Sequence, residues 1–502
     1  MLKEQHSFAL SQNSCRNARL LRAFHIAVIA LSAVVYIGSA LFEGIWFDEA
    51  YTVGAVSNDM GYMIKYLTYD VHPHLYYMVL KIWSYVFGNS VIALRMFSAV
   101  FGVACVALGY THIRRDFGNE VGFWFSFLLL FSFSTLKYAL QIRMYTFAIF
   151  LLTLTALYAW RSKNGGGRKE RALFLIFSVL SAYTHYFAFF IVAMINVFTL
   201  IGAIASDDKK KALNSWFFDA FIQFAAYAAG LAVFLFQISL GGADWIRLEF
   251  PNVIYDTVIH FFTGAPLLDD FAFGSSLYNA IGVVLTIIFA ETFIRLRFLF
   301  KTEKEKYRAP FLSYAVCMAV FGFTVAVSFF RPIYYARYAI CFSGFLFFSA
   351  AFLLACSKKI IKTVAAIALV VCFLFSAVPF WQENYSENNL SYNEQLDVQE
   401  GDIFVADDFH SFVCTVEFPE HRVVFYNLWG WPVDKTYRLF GDNVEIMQDI
   451  SELNEHSGRI WTCGAAAFEY FDKLENATFV CEKRTHTDYY NYDLTFRLYE
   501  IE

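Results

Sequence analysis

The sequence is short of charge. Asp, Glu, Lys and Arg make up 17% of it, while 58% is hydrophobic and 20% aromatic. A soluble globule needs more polar surface than this, and the mean hydropathy of +0.47 excludes that class. Cysteine is present without pattern. Nine are scattered through the 502 residues, with no CxxC and no zinc-type spacing. Cys105, Cys317, Cys341, Cys356 and Cys372 lie in apolar segments and read as packing residues. Cys414, Cys463 and Cys481 share the C-terminal region, where one disulfide could form. No small-residue cleavage pattern ends the first apolar run, so the expectation is a retained anchor and not a cleaved signal. No internal repeat is visible either. The net charge of −5 carries little information, because charge is segregated along the chain; nothing in it points to nucleic acid as a partner.

What is present is a series of apolar runs reaching the ~20 residues that span a bilayer. Basic loops orient them, since Lys and Arg favour the cytoplasmic side. Lys3, Arg16, Arg19 and Arg22 place residues 1–19 inside, and the run 20–42 then leads outward. Residues 75–88 are apolar but too short for a normal span. Laid on the membrane surface, they make 43–90 one external loop and bring Arg114 and Arg115 inside after the run 91–113. The runs 122–141 and 144–160 follow, then a basic cytoplasmic loop at 161–171. Residues 173–205 read as a helix pair turning near Tyr183-Thr184-His185-Tyr186. The runs 216–240, 277–295, 310–330, 338–356 and 361–380 complete about eleven spans, with every strongly basic loop inside. The expected fold is therefore an α-helical polytopic membrane domain over 20–380. A small soluble extracytoplasmic α/β domain follows over 381–502, with strands at 402–406, 422–426 and 494–501. Asn384, Asn389 and Asn476 open N-x-S/T triplets, which matter only in a glycosylating host.

The most informative feature is Trp46-Phe47-Asp48-Glu49-Ala50-Tyr51, an acidic pair just beyond the first span. Carboxylates at a bilayer surface are costly unless paired, so such a pair is a functional-site hypothesis. Its chemical use is to accept a proton from a hydroxyl nucleophile. Other polar residues fall on the same outer side: Asp70, His72 and His74; Lys137, Gln141, Arg143 and Tyr145; His185; Asp244, Arg247, Asp256, Asp269 and Asp270; Arg331, Tyr334, Tyr335, Arg337 and Tyr338. Acids on one loop and arginines on others suit an enzyme that binds an anionic headgroup and activates a neutral nucleophile. Plainer roles exist for each. Asp48 and Glu49 could cap a helix. His72-Pro73-His74 could start one, or could hold a metal for which no clear third ligand is seen. Arg143 and Arg337 could snorkel at the interface, and His185 could be a hydrogen-bonded packing residue.

Asp48-Glu49-Ala50-Tyr51, His72-Pro73-His74-Leu75-Tyr76-Tyr77 and Ala93-Leu94-Arg95-Met96-Phe97-Ser98-Ala99-Val100-Phe101-Gly102 together resemble the N-terminal signature of polytopic C-type glycosyltransferases. The branch most like it holds the protein O-mannosyltransferases and lipid A aminoarabinose transferases. Arg143-Met144-Tyr145, Tyr183-Thr184-His185-Tyr186 and Ala336-Arg337-Tyr338 resemble recurring pieces of bacterial members, so the similarity spans about residues 20–360. The resemblance implies a sugar donor linked through phosphate to a polyprenol. It implies Asp48 as the base, with Glu49 binding acceptor hydroxyls or tuning Asp48. It implies transfer with inversion on the outer face of a bacterial plasma membrane. By position and analogy, Arg143, Arg337 and Tyr338 become candidates for the donor phosphate. His72, His74 and His185 become candidates for substrate or a divalent metal. The family's usual His-Pro-Pro is His72-Pro73-His74 here, which puts a phosphate or metal role of that loop in question. No insertion resembles the lumenal repeats of the O-mannosyltransferases, which favours a lipid, glycan or cell-envelope polymer as acceptor over a protein. The runner-up is a transporter or flippase of lipid-linked saccharides. It would place ionisable residues mid-membrane on broken helices, often in repeated halves. A third reading is an envelope scaffold acting through the outer domain, whose Trp429-Gly430-Trp431 is a candidate for stacking on sugar.

Overall fold

The computed structural model describes residues 2–42, 44–240, 246–263, 275–385, 395–431, 433–441, 444–486 and 493–502. Asp244, Asp269, Asp270 and Asn389 lie outside the described residues. Seven helices among the rest are long and apolar enough to cross a membrane. An eighth is counted if Asn119–Leu130 and Phe133–Ala139, which meet at a 65° bend, form one span. The chain is an integral membrane protein. The expected eleven spans are not reached by this measure. Helices do occupy the other expected places, at Tyr145–Lys163, Arg168–Ala182 and Ser275–Thr302. The second of these has only 15 residues and opens on Arg168, Lys169, Glu170 and Arg171, so little of it is apolar.

Burial separates the helices. Ala336–Ala355 has 72% of its apolar window inside the protein, whereas Lys209–Ser239 has 11%. The latter exposes Phe217, Phe218, Phe221 and Phe224, as a lipid-facing helix must. Near the centre, the chain packs backbone on backbone. A Cβ on Gly109 would lie 2.2 Å from Ser126 Oγ and 2.5 Å from the Gly122 carbonyl, so Val91–Leu108 and its extension to Phe117 sit directly against Asn119–Leu130.

Between the first helix, Leu2–Ser39, and Val91–Leu108 lie three short helices: Phe47–Ser57, Met60–Leu67 and Leu75–Phe87. The Asp59 carboxylate caps the second by accepting from Gly61 N and Tyr62 N at 2.9 and 3.0 Å. At 13 residues, Leu75–Phe87 is too short to span. It packs on Phe47–Ser57 and on Val91–Leu108, and Lys81 Nζ donates to the Val56 carbonyl at 2.8 Å.

The C-terminal domain is α/β as expected. Its sheet has the order β3-β2-β1-β4-β6-β5, with β1 Ile403–Ala406, β2 Arg422–Tyr426, β3 Val444–Met447, β4 Gly458–Cys463, β5 Ala477–His486 and β6 Asp493–Ile501. The first four are parallel and β6 and β5 antiparallel. Cys414, Cys463 and Cys481 are free thiols. The domain is packed onto the external loop. Asn58 Nδ2 donates to the Leu439 carbonyl at 2.7 Å and Tyr62 OH to the Arg438 carbonyl at 2.9 Å. The Phe440 ring rests on Gly54, where any Cβ would lie 2.5 Å from it.

Candidate active site

Asp48 stands in the first turn of Phe47–Ser57. Its carboxylate meets two arginines from distant parts of the chain. Arg337, in the 3-10 turn Ala336–Phe342, brings Nη1 to 3.2 Å from Asp48 Oδ2. Arg143, in the turn between Phe133–Ala139 and Tyr145–Lys163, brings Nη2 to 3.8 Å. Arg143 Nη1 also donates to the Asp48 carbonyl at 3.3 Å and to Thr52 Oγ1 at 3.4 Å. The Arg337 guanidinium lies 5.8 Å from the Trp46 ring, 5.2 Å from Tyr335 and 5.9 Å from Tyr338, within range of cation–π attraction. Asp48 keeps 18% of its side chain exposed and Arg337 12%, so the pair is reachable from outside; Arg143 keeps 2%.

A second chain of contacts runs from Arg143 to Asp70. Arg143 Nη2 lies 3.3 Å from His72 Nε2, and His72 Nδ1 lies 3.2 Å from Asp70 Oδ2. A guanidinium only donates, so in this geometry Nε2 accepts from Arg143 and the Nδ1 proton is donated to Asp70. Tyr77 OH donates to the same carboxylate oxygen at 3.2 Å. Burial pushes the Asp70 carboxyl up, but His72, the Val71 N–H and Arg143 outweigh it and hold it below the usual range. Gln237, near the end of Lys209–Ser239, clamps this loop by donating to the Leu67 and His72 carbonyls at 3.1 and 3.2 Å.

Glu49 turns the other way. It is fully buried, and Arg95 Nη2, also fully buried, lies 3.2 Å from its Oε1. Ile142 N donates to Oε1 at 2.9 Å. Burial raises the Glu49 carboxyl while Arg95 and the Ile142 N–H oppose the rise. Arg95 also donates to the Phe42 and Gly44 carbonyls and stacks 3.8 Å over the Phe42 ring. One buried ion pair therefore ties together the end of the first helix, the helix bearing Asp48 and the turn bearing Arg143. Arg95 and Gln237 went unassigned in the sequence. The signal for Arg95 was a single long polar side chain inside an otherwise apolar helix, and for Gln237 a polar side chain closing the apolar second half of its helix.

His185 precedes helix Tyr186–Ile204, and its Nδ1 accepts from Phe187 N at 3.0 Å. Its ring lies among His72, Tyr145 and Tyr338, at 5.8, 5.9 and 5.2 Å. Burial and the neighbouring cations push its pKa well below the ordinary histidine value. His185 Nε2, Tyr145 OH and both amide atoms of Gln141 are buried without a hydrogen-bond partner among the described residues. Buried polar groups are normally paired, so this corner is built for something polar that enters it. His74 stands at the start of Leu75–Phe87, outside the Asp48 contacts, with burial lowering its pKa. Asp256 lies on the separate helix Asn252–Thr263, where burial and Glu249 raise its carboxyl to about 7. Among the described residues no group of three or more His, Cys, Asp or Glu is placed to hold a metal. Both His72 nitrogens are engaged, by Arg143 and by Asp70. Among the described residues, those of this site do not fit a metal centre.

Among solved structures, the chain is similar to ArnT from Cupriavidus metallidurans in the apo state. The TM-score is 0.60 at 11% identity, over 95% of this chain and 98% of that one. The chain has the fold of that ArnT structure. ArnT from the same organism bound to undecaprenyl phosphate overlaps with a TM-score of 0.44, at 11% identity over 95% of this chain and 98% of that one. An Archaeoglobus fulgidus oligosaccharyltransferase complexed with Zn and sulfate overlaps with 0.46, at 11% identity over 89% of this chain and 69% of that one. No protein-family model matches the chain, and no curated protein does. The ArnT fold runs through the C-terminal domain as well as the helices, since nearly the whole of both chains is aligned.

Proposed function

We propose that this protein is an inverting glycosyltransferase. It moves a sugar from a polyprenyl-phosphate donor to a hydroxyl of a lipid, glycan or envelope polymer on the outer face of a bacterial plasma membrane. The observation that carries the proposal is the partly exposed Asp48 carboxylate held against Arg337 and Arg143 at the ends of helices. The shared fold with ArnT, a protein that has been captured with undecaprenyl phosphate, supports the donor class.

In this mechanism the donor phosphate takes over the two guanidinium groups, for which it is the better bidentate partner. Asp48 is thereby released to face the acceptor. Its carboxylate removes the hydroxyl proton as the oxygen attacks C1 of the sugar from the side opposite the phosphate. The C1–O bond to phosphate breaks with inversion, and polyprenyl phosphate leaves as an anion. Arg143 and Arg337 neutralise the charge that grows on it, so no acid is needed to protonate it. Tyr338 borders the same phosphate. The unpartnered His185, Tyr145 and Gln141 supply hydrogen bonds to the donor sugar. Glu49, locked to Arg95, positions Asp48 and Arg143 without touching substrate.

The test is donor turnover. Wild type and Asp48→Asn are incubated with polyprenyl-phosphate sugars and a membrane extract as acceptor source. Transfer with release of polyprenyl phosphate by wild type, lost in the variant, supports both the reaction and the base. Equal turnover in the two removes Asp48 as base. Translocation of the donor across vesicles without transfer would favour the transporter reading.

A further inference from the structure

A cavity of about 1040 Å³ opens at the end of the bundle away from Asp48. It lies between the helices Tyr145–Lys163, Tyr186–Ile204, Lys209–Ser239, Lys304–Ser328 and Ser343–Ala355. Its lining is divided. Deep inside are Thr153, Ala156, Leu157, Phe198, Val316 and Phe345; at the mouth are Lys163, Lys211, Lys304 and Arg308. Ten helical residues separate Lys163 from Thr153, so the apolar part is about 15 Å deep. That is half the thickness of a bilayer core.

The charges at the mouth are not balanced against one another. Asp207, Asp208 and Glu305 are also there. Asp208 is occupied in capping Lys209–Ser239 through Lys211 N at 3.3 Å, and Lys163 leans 3.7 Å from Asp219. Arg308 is half-buried and forms no hydrogen bond or ion pair with any described residue. A guanidinium withdrawn from water without a counter-ion is costly, and an arriving anion removes that cost. A soluble anion would satisfy Arg308 but leave a deep apolar wall empty. A diacyl phospholipid with a negative headgroup satisfies both, since basic pockets between membrane helices suit such headgroups.

We propose that this cavity is a binding site for one anionic phospholipid of the leaflet on the basic-loop side. Its phosphate lies at Arg308, flanked by Lys304 and Lys211, and an acyl chain runs inward along Leu157, Phe198 and Val316. The site is independent of the transferase chemistry and would stand if that were wrong.

Native mass spectrometry of the full chain tests it, after delipidation and titration with phosphatidylglycerol or phosphatidylcholine. One phosphatidylglycerol should be retained preferentially, and Arg308→Gln should weaken it about fivefold. A second variant avoids removing charge. A Cβ on Gly202 meets nothing nearer than Arg308 Nη2 at 4.0 Å, so a Gly202→Leu side chain starts from open space beside Arg308 and should also displace the lipid. Equal retention of both lipids, or wild-type binding by both variants, would overturn the proposal. So would displacement of phosphatidylglycerol by inorganic phosphate alone, or by polyprenyl phosphate at lower concentration.

Discussion

The two ends of the helical bundle handle charge in opposite ways. At the Asp48 end, arginines and carboxylates are buried and interlocked. Arg95 and Glu49 have no exposed side-chain surface, Arg143 has 2%, and each has several partners. At the opposite end, most charges are exposed and paired singly or not at all; the exception is Asp219, buried between Lys163 and Arg171. Lys306 and Glu303 are about half exposed, and Arg161 and Asp116 form an isolated pair at 2.8 Å. Surface pairs of that kind contribute little to stability. Buried ones cost desolvation and are often no better than apolar packing. Stability therefore accounts for neither end. The basic end is explained by topology, through the preference of Lys and Arg for one side of the membrane. The Asp48 end needs another reason, and the proposed chemistry on an anionic substrate would supply it.

The largest expected effect comes from breaking the centre of that cluster. Asp48→Asn keeps the size of the side chain and removes the proposed base. Turnover should fall by about 10²–10⁴-fold, with the protein still purified as a folded monodisperse species. Arg337→Gln and Arg143→Gln should each cost about 10²-fold in turnover, since each removes charge stabilisation of the leaving phosphate. A split in steady-state constants sharpens this. A residue acting on the growing phosphate charge lowers kcat, whereas one that only docks the donor raises KM.

Asp48 and Glu49 are neighbours in sequence and separate in fate, which shows what a sequence can and cannot carry. That an acid pair follows the first apolar run was legible. So were the helix ends bearing Arg143, His185 and Arg337, because basic loops at one end fix which turns lie at the other. Which of the two acids faces the interior was not legible. Adjacent helical residues point about 100° apart, and only the packed helix of Arg95 decides between them. The Arg95 partner was invisible because it sits in a helix that reads as apolar and binds a residue 46 positions away. The sheet shows the same limit. Strands β1, β2 and β6 stood out by composition, but the docking of Phe440 on Gly54 depends on the folded surface of both parts. The count of eleven spans is not confirmed by length and hydropathy among the described residues, since helices sheltered by protein need be neither long nor wholly apolar.

Glu49→Gln comes next in size and acts on folding more than on chemistry. It leaves Arg95 charged, buried and half-partnered, a loss of about 3–5 kcal/mol. The expected outcome is a lower thermal midpoint in detergent and reduced yield. The paired change Glu49→Leu with Arg95→Met should recover much of the stability, because it removes both charges together. If Glu49→Gln instead melts like wild type and loses turnover, the division between Asp48 and Glu49 drawn here fails. A smaller effect, about tenfold, is expected for Asp70→Asn, which weakens the acceptor that fixes the His72 tautomer. The folded Asp70 carboxyl lies below its ordinary value near 3.9, so its contribution is present above about pH 4 and is lost only as pH falls further. No decline of wild-type turnover between pH 8 and 5 should trace to it. A decline that vanishes in Asp70→Asn would contradict the assignment.

The smallest effect concerns an acid at the Asp48 end that has no cation. Among the described residues Asp256 Oδ1 has no hydrogen-bond partner, and burial with the nearby Glu249 raises its carboxyl to about 7. A folded value above the unfolded one near 3.9 reverses the sign found for Asp70. The stabilising contribution of protonated Asp256 is complete below about pH 4. It shrinks as pH rises, because the unfolded chain gives up its proton first, and it is gone once pH passes the folded value. Asp256→Asn cannot ionise and escapes this loss. Its thermal midpoint should match wild type near pH 4.5 and exceed it by about 2 °C at pH 8. The gap should open between those limits and then stay constant. A gap that is the same at both pH values would show Asp256 to be paired in the folded protein, and the contrast with Asp48 would then rest on exposure alone.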